Sequence, residues 1–490
     1  MPEQAMQHIV IVGGGIAGMA AAYQIQEEAR ASGRPVTYTL IEAANRLGGK
    51  IVTEQVNGFT VEGGPDSVTR DKPWATNLAI KLGLAGDLIG TDDRTREVYV
   101  LNKGKPVILP DGVWSIVPTK FMPFITTRLI TWPGKIRMGM DLFIPPIQGD
   151  DDETMADFMR RRLGSEALDK IATPLLSGVH VSDPEKQSLL ATFPRFRATE
   201  KKYGSLTRGM LAESRRMAAM KKANAGKPPS QIPSSAFITL RGGLGELVAA
   251  LESHLTGGTV LCGVKVTGLA RNAAGNYAVQ LDNGQNLAAD AVVLATEAYV
   301  AAALVKPFAP GVSEVLNSIP YVSTATVSLG YRARDIRKPF TGHGLLIPWS
   351  ERRQVSALTY SSYKFSDRAP QDHLLLRCFL GGPAHEDHEA LSDEALVALS
   401  RDELKSLLSI DAEPVITRVF RWNKANPQYN LGHLNRVKAI RAGLQAFPGL
   451  YVTGSAYDGV GVPDCVRQGQ ETATAALDFL AAAERVAGQA

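Results

Sequence analysis

The sequence predicts an α/β fold, α+β overall, built on a discontinuous domain with a parallel sheet to which a mixed-sheet domain and a helical domain are attached. Three observations predict it. The chain opens with a strand, a glycine turn and an alanine-rich helix in "HIVIVGGGIAGMAAAYQIQ". Strand-turn-helix units recur far away, in "ITLRGGLGELVAALESHL" and in "GLYVTGSAYDGVGVPDCVRQGQETATAALDFLAAA". At 490 residues, 44% hydrophobic and 21% charged, the chain has a folded protein's composition and more length than one ordinary core needs.

Taken in order, the first unit is the most informative. Ile9 to Val12 run into Gly13, Gly14, Gly15, Ile16, Ala17 and Gly18, a GxGxxG between a strand and a helix, so the domain is Rossmann-like. Gly13 permits the tight turn, Gly15 removes the side chain that would block a pyrophosphate, and Gly18 lets helix and strand pack closely. The next strand, from Val36 to Ile41, ends in Glu42, whose carboxylate suits an adenosine ribose. Directly after it, "AANRLGGK" brings Arg46, Gly48, Gly49 and Lys50, a second close backbone approach suited to a longer, more extended dinucleotide. At the other end of the chain, Gly459 and Gly461 precede a helix beginning near Asp464. Free N–H groups and a helix N-terminus there suit the N1/O2 edge of a reduced flavin, which develops negative charge. A plain loop and a helix cap are the competing readings of these two glycine stretches. FAD is the favoured dinucleotide over NAD.

Between these segments, residues from about Trp114 to Arg216 read as helical and basic, with Lys120, Arg128, Lys135 and Arg137 uninterrupted by an acid between Trp114 and Met140. "ANAGKPPSQIPSS", residues 223 to 235, reads as a linker. Asn283-Gly284 marks a hairpin, and residues from about Ser313 to Trp422 alternate like strands of a mixed sheet.

The net charge of +4 is mild and no nucleic-acid motif is present, so anionic small molecules or a weak membrane-surface contact are favoured over nucleic acid. Three scattered cysteines without a CxxC, and only seven residues before the first strand, lead us to expect a reduced, cytoplasmic chain without a targeting segment. His385 and His388 have helical spacing but no third histidine nearby, so an exposed acidic helix start, and no metal, is expected. The number of chains in the assembly is left open.

The ExxxRxGG pattern after the first unit, "GGPDS" at 63 to 67, the "LRGGLGEL" turn and the C-terminal glycine loop resemble the FAD-dependent amine oxidase-like superfamily. Within it, "PLLSGVHVSDPEKQSLLATFPRF", "WNKANPQYNLGH" and "DGVGVPDCVRQG" resemble the oxygen-dependent protoporphyrinogen and coproporphyrinogen III oxidases, from about residue 6 to residue 480. The resemblance implies an FAD-binding domain from 1–56, 235–296 and 445–490, a substrate-binding domain from 57–92, 211–234 and 297–444, and a helical, membrane-binding-like domain from 93–210. It assigns to FAD the Gly13 to Gly18 loop, Glu42, Ala43, Arg46, Gly49, Lys50, the loop of Gly64, Pro65, Asp66 and Ser67, then Val266, Trp422, Val460, Gly461 and Val462. It assigns to substrate Arg70, Lys72 and, on a loop spanning Leu175 to Asp183, Gly178.

The activity implied is a six-electron oxidation of a porphyrinogen to a porphyrin in haem synthesis. FAD takes two electrons per cycle and O2 regenerates it with release of H2O2. The flavin carries the hard step and the protein positions, so no catalytic side chain is named. Four propionates on coproporphyrinogen III need more cations than the two on protoporphyrinogen IX. The basic inventory therefore favours coproporphyrinogen III, with protoporphyrinogen IX as the alternative. An amine oxidase or a non-enzymatic FAD-fold binding protein are readings of other classes. The resemblance also implies handover of product to a downstream chelatase or decarboxylase, and a cytoplasmic chain peripheral to the membrane.

Overall fold

The computed structural model describes residues 6–110, 121–223, 232–273 and 275–487. Three stretches remote in sequence supply one five-stranded parallel sheet, ordered Thr259–Cys262, Val36–Glu42, Gln7–Val12, Ala291–Leu294, Leu450–Val452. A parallel sheet must be covered on both faces, which explains its continuous apolar runs. Ile9, Ile11, Leu40 and Val293 pack under the helices Ile16–Ser32 and Val462–Ala487. Val10, Val12, Ile41, Val292 and Leu294 face the other way. There they meet a small antiparallel sheet of Val266–Arg271, Tyr277–Leu281 and Asn286–Ala289, and the helices Ala298–Val305, Pro310–Asn317 and His433–Leu444. The chain leaves the central strand Gln7–Val12 toward one side and fills the other side later. The carboxyl end of that strand is thus the switch point where such sheets bind ligands.

The second sheet has seven strands, in the order Ile416–Pro427, Tyr321–Arg332, His373–Gly381, Ala357–Tyr360, Gly344–Leu346, Val98–Asn102, Lys105–Ile108. Its pairs are antiparallel except Gly344–Leu346 with Val98–Asn102, so it is mixed, as the alternation from Ser313 to Trp422 implies. The last two strands fall inside the stretch 93–210 read as helical. They form a hairpin whose turn holds Lys103 at φ 53 and Gly104 at φ 73, the left-handed pair that two-residue hairpins need. Val100 then points into the helical cluster and Leu101 into the sheet's own core.

The helical region includes Trp132–Gly139, Met155–Arg162, Thr173–His180, Pro194–Tyr203 and Leu206–Ala223. At its centre the fully buried Arg162 pairs with Asp141 at 2.5 Å and Glu200 at 3.5 Å. Leu175 to Asp183, expected as a loop, is helical through His180, because Pro174 fits a first helical turn and the leucines behind it face the core. The turn that follows puts Val181 at φ 50, a conformation a β-branched residue rarely adopts. Asn283-Gly284 does turn a hairpin, with Gly284 at φ 84. Most of the 223–235 linker and the stretch from Trp114 to Lys120 lie outside the described residues.

Candidate functional site

At the switch point two glycine loops lie side by side. Gly13 donates its N–H to the Ile41 carbonyl at 2.8 Å, which extends the ladder between the first two strands into the glycine turn. Gly48 donates to the Gly14 carbonyl at 2.8 Å, and Gly15 and Gly48 form a parallel bridge. At Gly18 a Cβ would sit 1.9 Å from the Gly13 carbonyl oxygen, so only glycine allows helix and turn to meet. At Gly15 a Cβ would touch nothing within 4 Å. That position is free of steric demand from the protein itself and opens into the crevice above the sheet. Ile16 and Ala17 are buried, and the Ala17 carbonyl packs against Gly469 of the C-terminal helix.

Glu42 holds both loops. Its carboxylate accepts the N–H of Gly14 at 2.7 Å and that of Ala44 at 2.8 Å, while Ala43 beside it is exposed. Each oxygen keeps a further lone pair for another donor. Arg46 staples the second loop by donating to the carbonyls of Leu47, Gly49 and Ile51 at 3.1, 2.7 and 3.3 Å. Val266, buried, begins the strand next to the Glu42 end, where the Val264 N–H donates to the Glu42 carbonyl at 3.1 Å.

The third wall is the stretch Gly63 to Ser67. A Cβ on Gly64 would lie 1.8 Å from the Lys50 carbonyl oxygen, so this loop rests directly on the second glycine loop. Three donors hold the Gly63 carbonyl: Trp422 Nε1 at 3.0 Å, Thr326 Oγ1 at 3.0 Å and Arg377 Nη2 at 2.9 Å. The same Arg377 nitrogen reaches the Gly64 carbonyl at 2.5 Å. Beyond Pro65, Asp66 accepts from Lys364 at 2.8 Å and from Ser67 at 2.7 Å. Burial works against the Asp66 carboxylate, but the charges of Lys364 and Arg377 outweigh it and bring its pKa down to about 2. Lys50 is half-buried, its ammonium donating to the Ala425 carbonyl, and burial lowers its pKa.

The fourth wall is the loop between Leu450–Val452 and the C-terminal helix. Tyr429 bridges it, its hydroxyl donating to the Ser455 carbonyl and accepting the Gly459 N–H, both at 2.9 Å. Gln468 clasps the far side through the Asp458 N–H and the Gly459 carbonyl. Val460 is exposed, Gly461 half-buried and Val462 buried at the helix start. Under Tyr429 lies His433, stacked with ring centroids 3.8 Å apart, its Nε2 against the Tyr457 carbonyl at 3.1 Å.

Contacts between loops thus join Gly13 to Gly18, Glu42, Gly49, Lys50, Gly64 and Trp422 at the switch point, and the loop of Val460 to Val462 leads into the helix that packs on Ala17. Of the residues read as substrate-binding, Lys72 pairs with Asp464 at 2.6 Å, so its ammonium is already engaged. Arg70 is exposed, and Gly178 falls in Thr173–His180 with its surroundings outside the described residues. His388, read as part of an exposed helix start, is buried. Its Nδ1 accepts the Gly381 N–H at 3.2 Å and its Nε2 faces Gln354 Oε1 at 3.1 Å. Both ring nitrogens of His388 thus have protein partners, while one ligand atom each from His385, Asp387 and His388 lie within 4.8 Å of one another. Arg377, Lys364, Tyr429 and Asp464 brace or adjoin these loops, and none of them was read from sequence as a candidate for the site. The signal for Arg377 was present as one arginine inside the apolar strand "HLLLRCFLGG".

The model of the flavin containing amine oxidoreductases matches residues 16–477. The chain belongs to that family. Coproporphyrinogen III oxidase of Bacillus subtilis (strain 168) is 36% identical over 475 residues, covering 97% of this chain and 98% of that protein. Protoporphyrinogen oxidase 1, chloroplastic, of Spinacia oleracea is 30% identical, covering 96% and 84%. Among solved structures, a protein of Exiguobacterium sp. 255-15 assigned as a candidate protoporphyrinogen oxidase superposes with a TM-score of 0.83 at 31% identity, covering 96% of this chain and 99% of that one. As a member of this flavoprotein family, the chain takes FAD as its cofactor. The crevice fits it: the open face of Gly15 suits a pyrophosphate, the acid at the second strand end suits a ribose, and the glycine loop before the C-terminal helix suits a ring.

Proposed function

We infer that the chain is an FAD-dependent oxidoreductase that converts a porphyrinogen to a porphyrin with O2 as acceptor, coproporphyrinogen III being the preferred substrate. The observation that carries this reading is likeness along nearly the whole chain to coproporphyrinogen III oxidases, with 36% identity to that of Bacillus subtilis and 31% to that of Staphylococcus aureus. Bound FAD supplies two-electron acceptor chemistry and its reoxidation by O2.

The residues of this chain position and exclude. Gly13 to Gly18 and Gly48 to Lys50 hold the cofactor's extended half, with Glu42 at its ribose. The loop Gly63 to Ser67, pinned from behind by Trp422, Thr326 and Arg377, forms a fixed wall beside the cofactor. A wall held by three donors stays in place, so the cofactor keeps its position toward the substrate. Arg70 and Lys72 are the cations we assign to substrate carboxylates; Lys72, with one N–H on Asp464, retains two more. Progress curves of porphyrin fluorescence for both porphyrinogens, with H2O2 measured in parallel, test the reading. Faster turnover of protoporphyrinogen IX reverses the substrate preference, and no porphyrin from either removes the function.

The porphyrin product still needs a metal and, with four propionates, decarboxylation, so handover to a chelatase or decarboxylase is part of the proposal. The proposal also includes a peripheral lipid contact. No helix among the described residues is long and apolar enough to cross a membrane. The helical region nevertheless exposes Met122, Trp132, Ile136 and Phe143, the last at 83%, with Lys135 lying 4.7 Å from the Trp132 ring centre. Apolar side chains beside cations suit an anionic lipid surface. Flotation with phosphatidylglycerol vesicles, lost on combined Trp132→Ser and Phe143→Ser, is the expected result; no flotation of the parent protein removes the contact.

A further inference from the structure

Asp464 stands in the first turn of the helix Val462–Ala487, whose N-terminus closes the glycine loop at the far end of the crevice. Its side chain is 8% exposed and lies directly against the loop. A Cβ on Gly459 would come within 2.5 Å of Asp464 Cγ, and one on Gly461 within 3.1 Å of Asp464 Oδ2. A carboxylate in that place offsets the positive end of the helix, the very feature that would favour a reduced, negatively charged flavin edge. The structure supplies an answering cation from a segment almost four hundred residues away: Lys72 Nζ donates to Asp464 Oδ2 at 2.6 Å. Two further cations lie near this turn: Arg467, taken up by Glu471 at 2.8 Å and by the Asp458 carbonyl at 2.9 Å, and Lys50, whose ammonium donates to the Ala425 carbonyl and whose charge reaches Cys465 beside Asp464.

We propose that the Lys72–Asp464 pair sets the reduction potential of the bound flavin, with Lys72 as a positioning and charge-balancing residue acting through Asp464. The inference rests on the reading that the Gly459–Val462 loop faces the flavin ring. With the pair intact the local charges cancel and the helix end acts unopposed. Removing Lys72 leaves an uncompensated, nearly buried carboxylate beside the ring, where charges are poorly screened. Removing Asp464 leaves the cation and the helix end acting together. The two changes therefore push the potential in opposite directions, and removing both restores neutrality.

The test is the midpoint potential of the substrate-free holoenzyme, titrated against a reference dye, for Lys72→Met, Asp464→Asn, the double variant and Lys72→Arg. For Lys72→Met, binding of reduced relative to oxidised flavin is expected to fall about tenfold, a shift of about 30 mV to more negative values for a two-electron couple. Asp464→Asn shifts it the other way, the double variant returns close to the parent, and Lys72→Arg stays there. A change that merely loosens the fold does not reverse sign between the two single variants, nor cancel in the double one. Flavin-loaded single variants that both keep the parent potential overturn the proposal, even if Lys72→Met raises KM, since that result makes Lys72 a substrate anchor only. A parent protein that takes up no flavin overturns instead the reading beneath it.

Discussion

Gly15 and Gly18 are two residues of one motif with opposite physical reasons for being glycine. Because a Cβ at Gly15 meets no protein atom within 4 Å, Gly15→Val is expected to fold with a melting temperature close to the parent's and to be colourless. Because a Cβ at Gly18 would sit 1.9 Å from a backbone oxygen, Gly18→Ala is expected to lose stability before any question of flavin arises, by about 1–3 kcal/mol. Thermal melts with and without FAD separate the two; a Gly15→Val protein that retains full flavin absorbance would show that the loop does not hold the pyrophosphate. Glu42 combines both kinds of role. Its hydrogen bonds to Gly14 and Ala44 are of the charge-assisted kind, worth at most about 1.5–3 kcal/mol each. Glu42→Ala should therefore lower the melting temperature of the flavin-free protein as well as speed FAD loss on dilution. An unchanged flavin-free melt would assign the carboxylate to the ribose alone. The sequence disclosed Glu42 as a strand-end acid, but not that it serves the loop's own N–H groups, because that depends on where Gly14 comes to rest.

The C-terminal glycine loop is an element held from outside itself. Its Gly454 and Gly459 adopt φ 113 and 118, and between strand and helix it has little internal pairing, so its shape depends on Tyr429, Gln468 and His433. Burial keeps the Tyr429 hydroxyl protonated, its pKa well above the ordinary value, so that it donates to one carbonyl and accepts one N–H at any working pH. Tyr429→Phe is expected to fold with a loss of about 1–2 kcal/mol and to change the flavin's visible spectrum through the displaced Gly459 segment. A spectrum and flavin affinity identical to the parent's would make Tyr429 a core residue only. "WNKANPQYNLGH" was legible as a motif, whereas the bridging by its tyrosine requires a strand end and a loop that no local pattern connects. The hairpin Val98–Ile108 teaches the converse. Its turn chemistry at Lys103-Gly104 was readable, yet its strands are so short that the helical surroundings dominated the reading.

Across the whole molecule, His433 and Asp66 are two of the groups through which acid should act, burial lowering the pKa of His343 and His388 as well. Burial holds the His433 pKa at about 4 against an ordinary 6.5, and the Asp66 carboxyl lies at about 2 against 3.8. In both cases the unfolded chain takes up the proton first, so stability is lost as pH falls: between about 6.5 and 4 through His433, then between about 3.8 and 2 through Asp66. Each step is on the order of 2–3 kcal/mol. Urea midpoints measured from pH 7 to 4.5 should fall for the parent and fall less for His433→Phe, which has no proton to gain; parallel curves for the two would remove His433 from the acid response. What the sequence determined by itself was the parallel-sheet domain, its glycine turns and the acid at the second strand's end, because each is a local pattern of spacing and residue type. The use of three distant segments was legible too, but the strand of the second signature, Phe237–Leu240, joins a separate antiparallel sheet with Val68–Thr69 and Leu88–Gly90, and that segment gives the parallel sheet Thr259–Cys262 and Ala291–Leu294 instead. Only the tertiary structure decided which charges meet: Arg377 under the Gly63 and Gly64 carbonyls, Lys364 on Asp66, and Lys72 on Asp464. The physical reason is range. A turn is decided by neighbours within a few residues, whereas an ion pair such as Lys72 with Asp464 spans most of the chain and exists only once the sheets have packed.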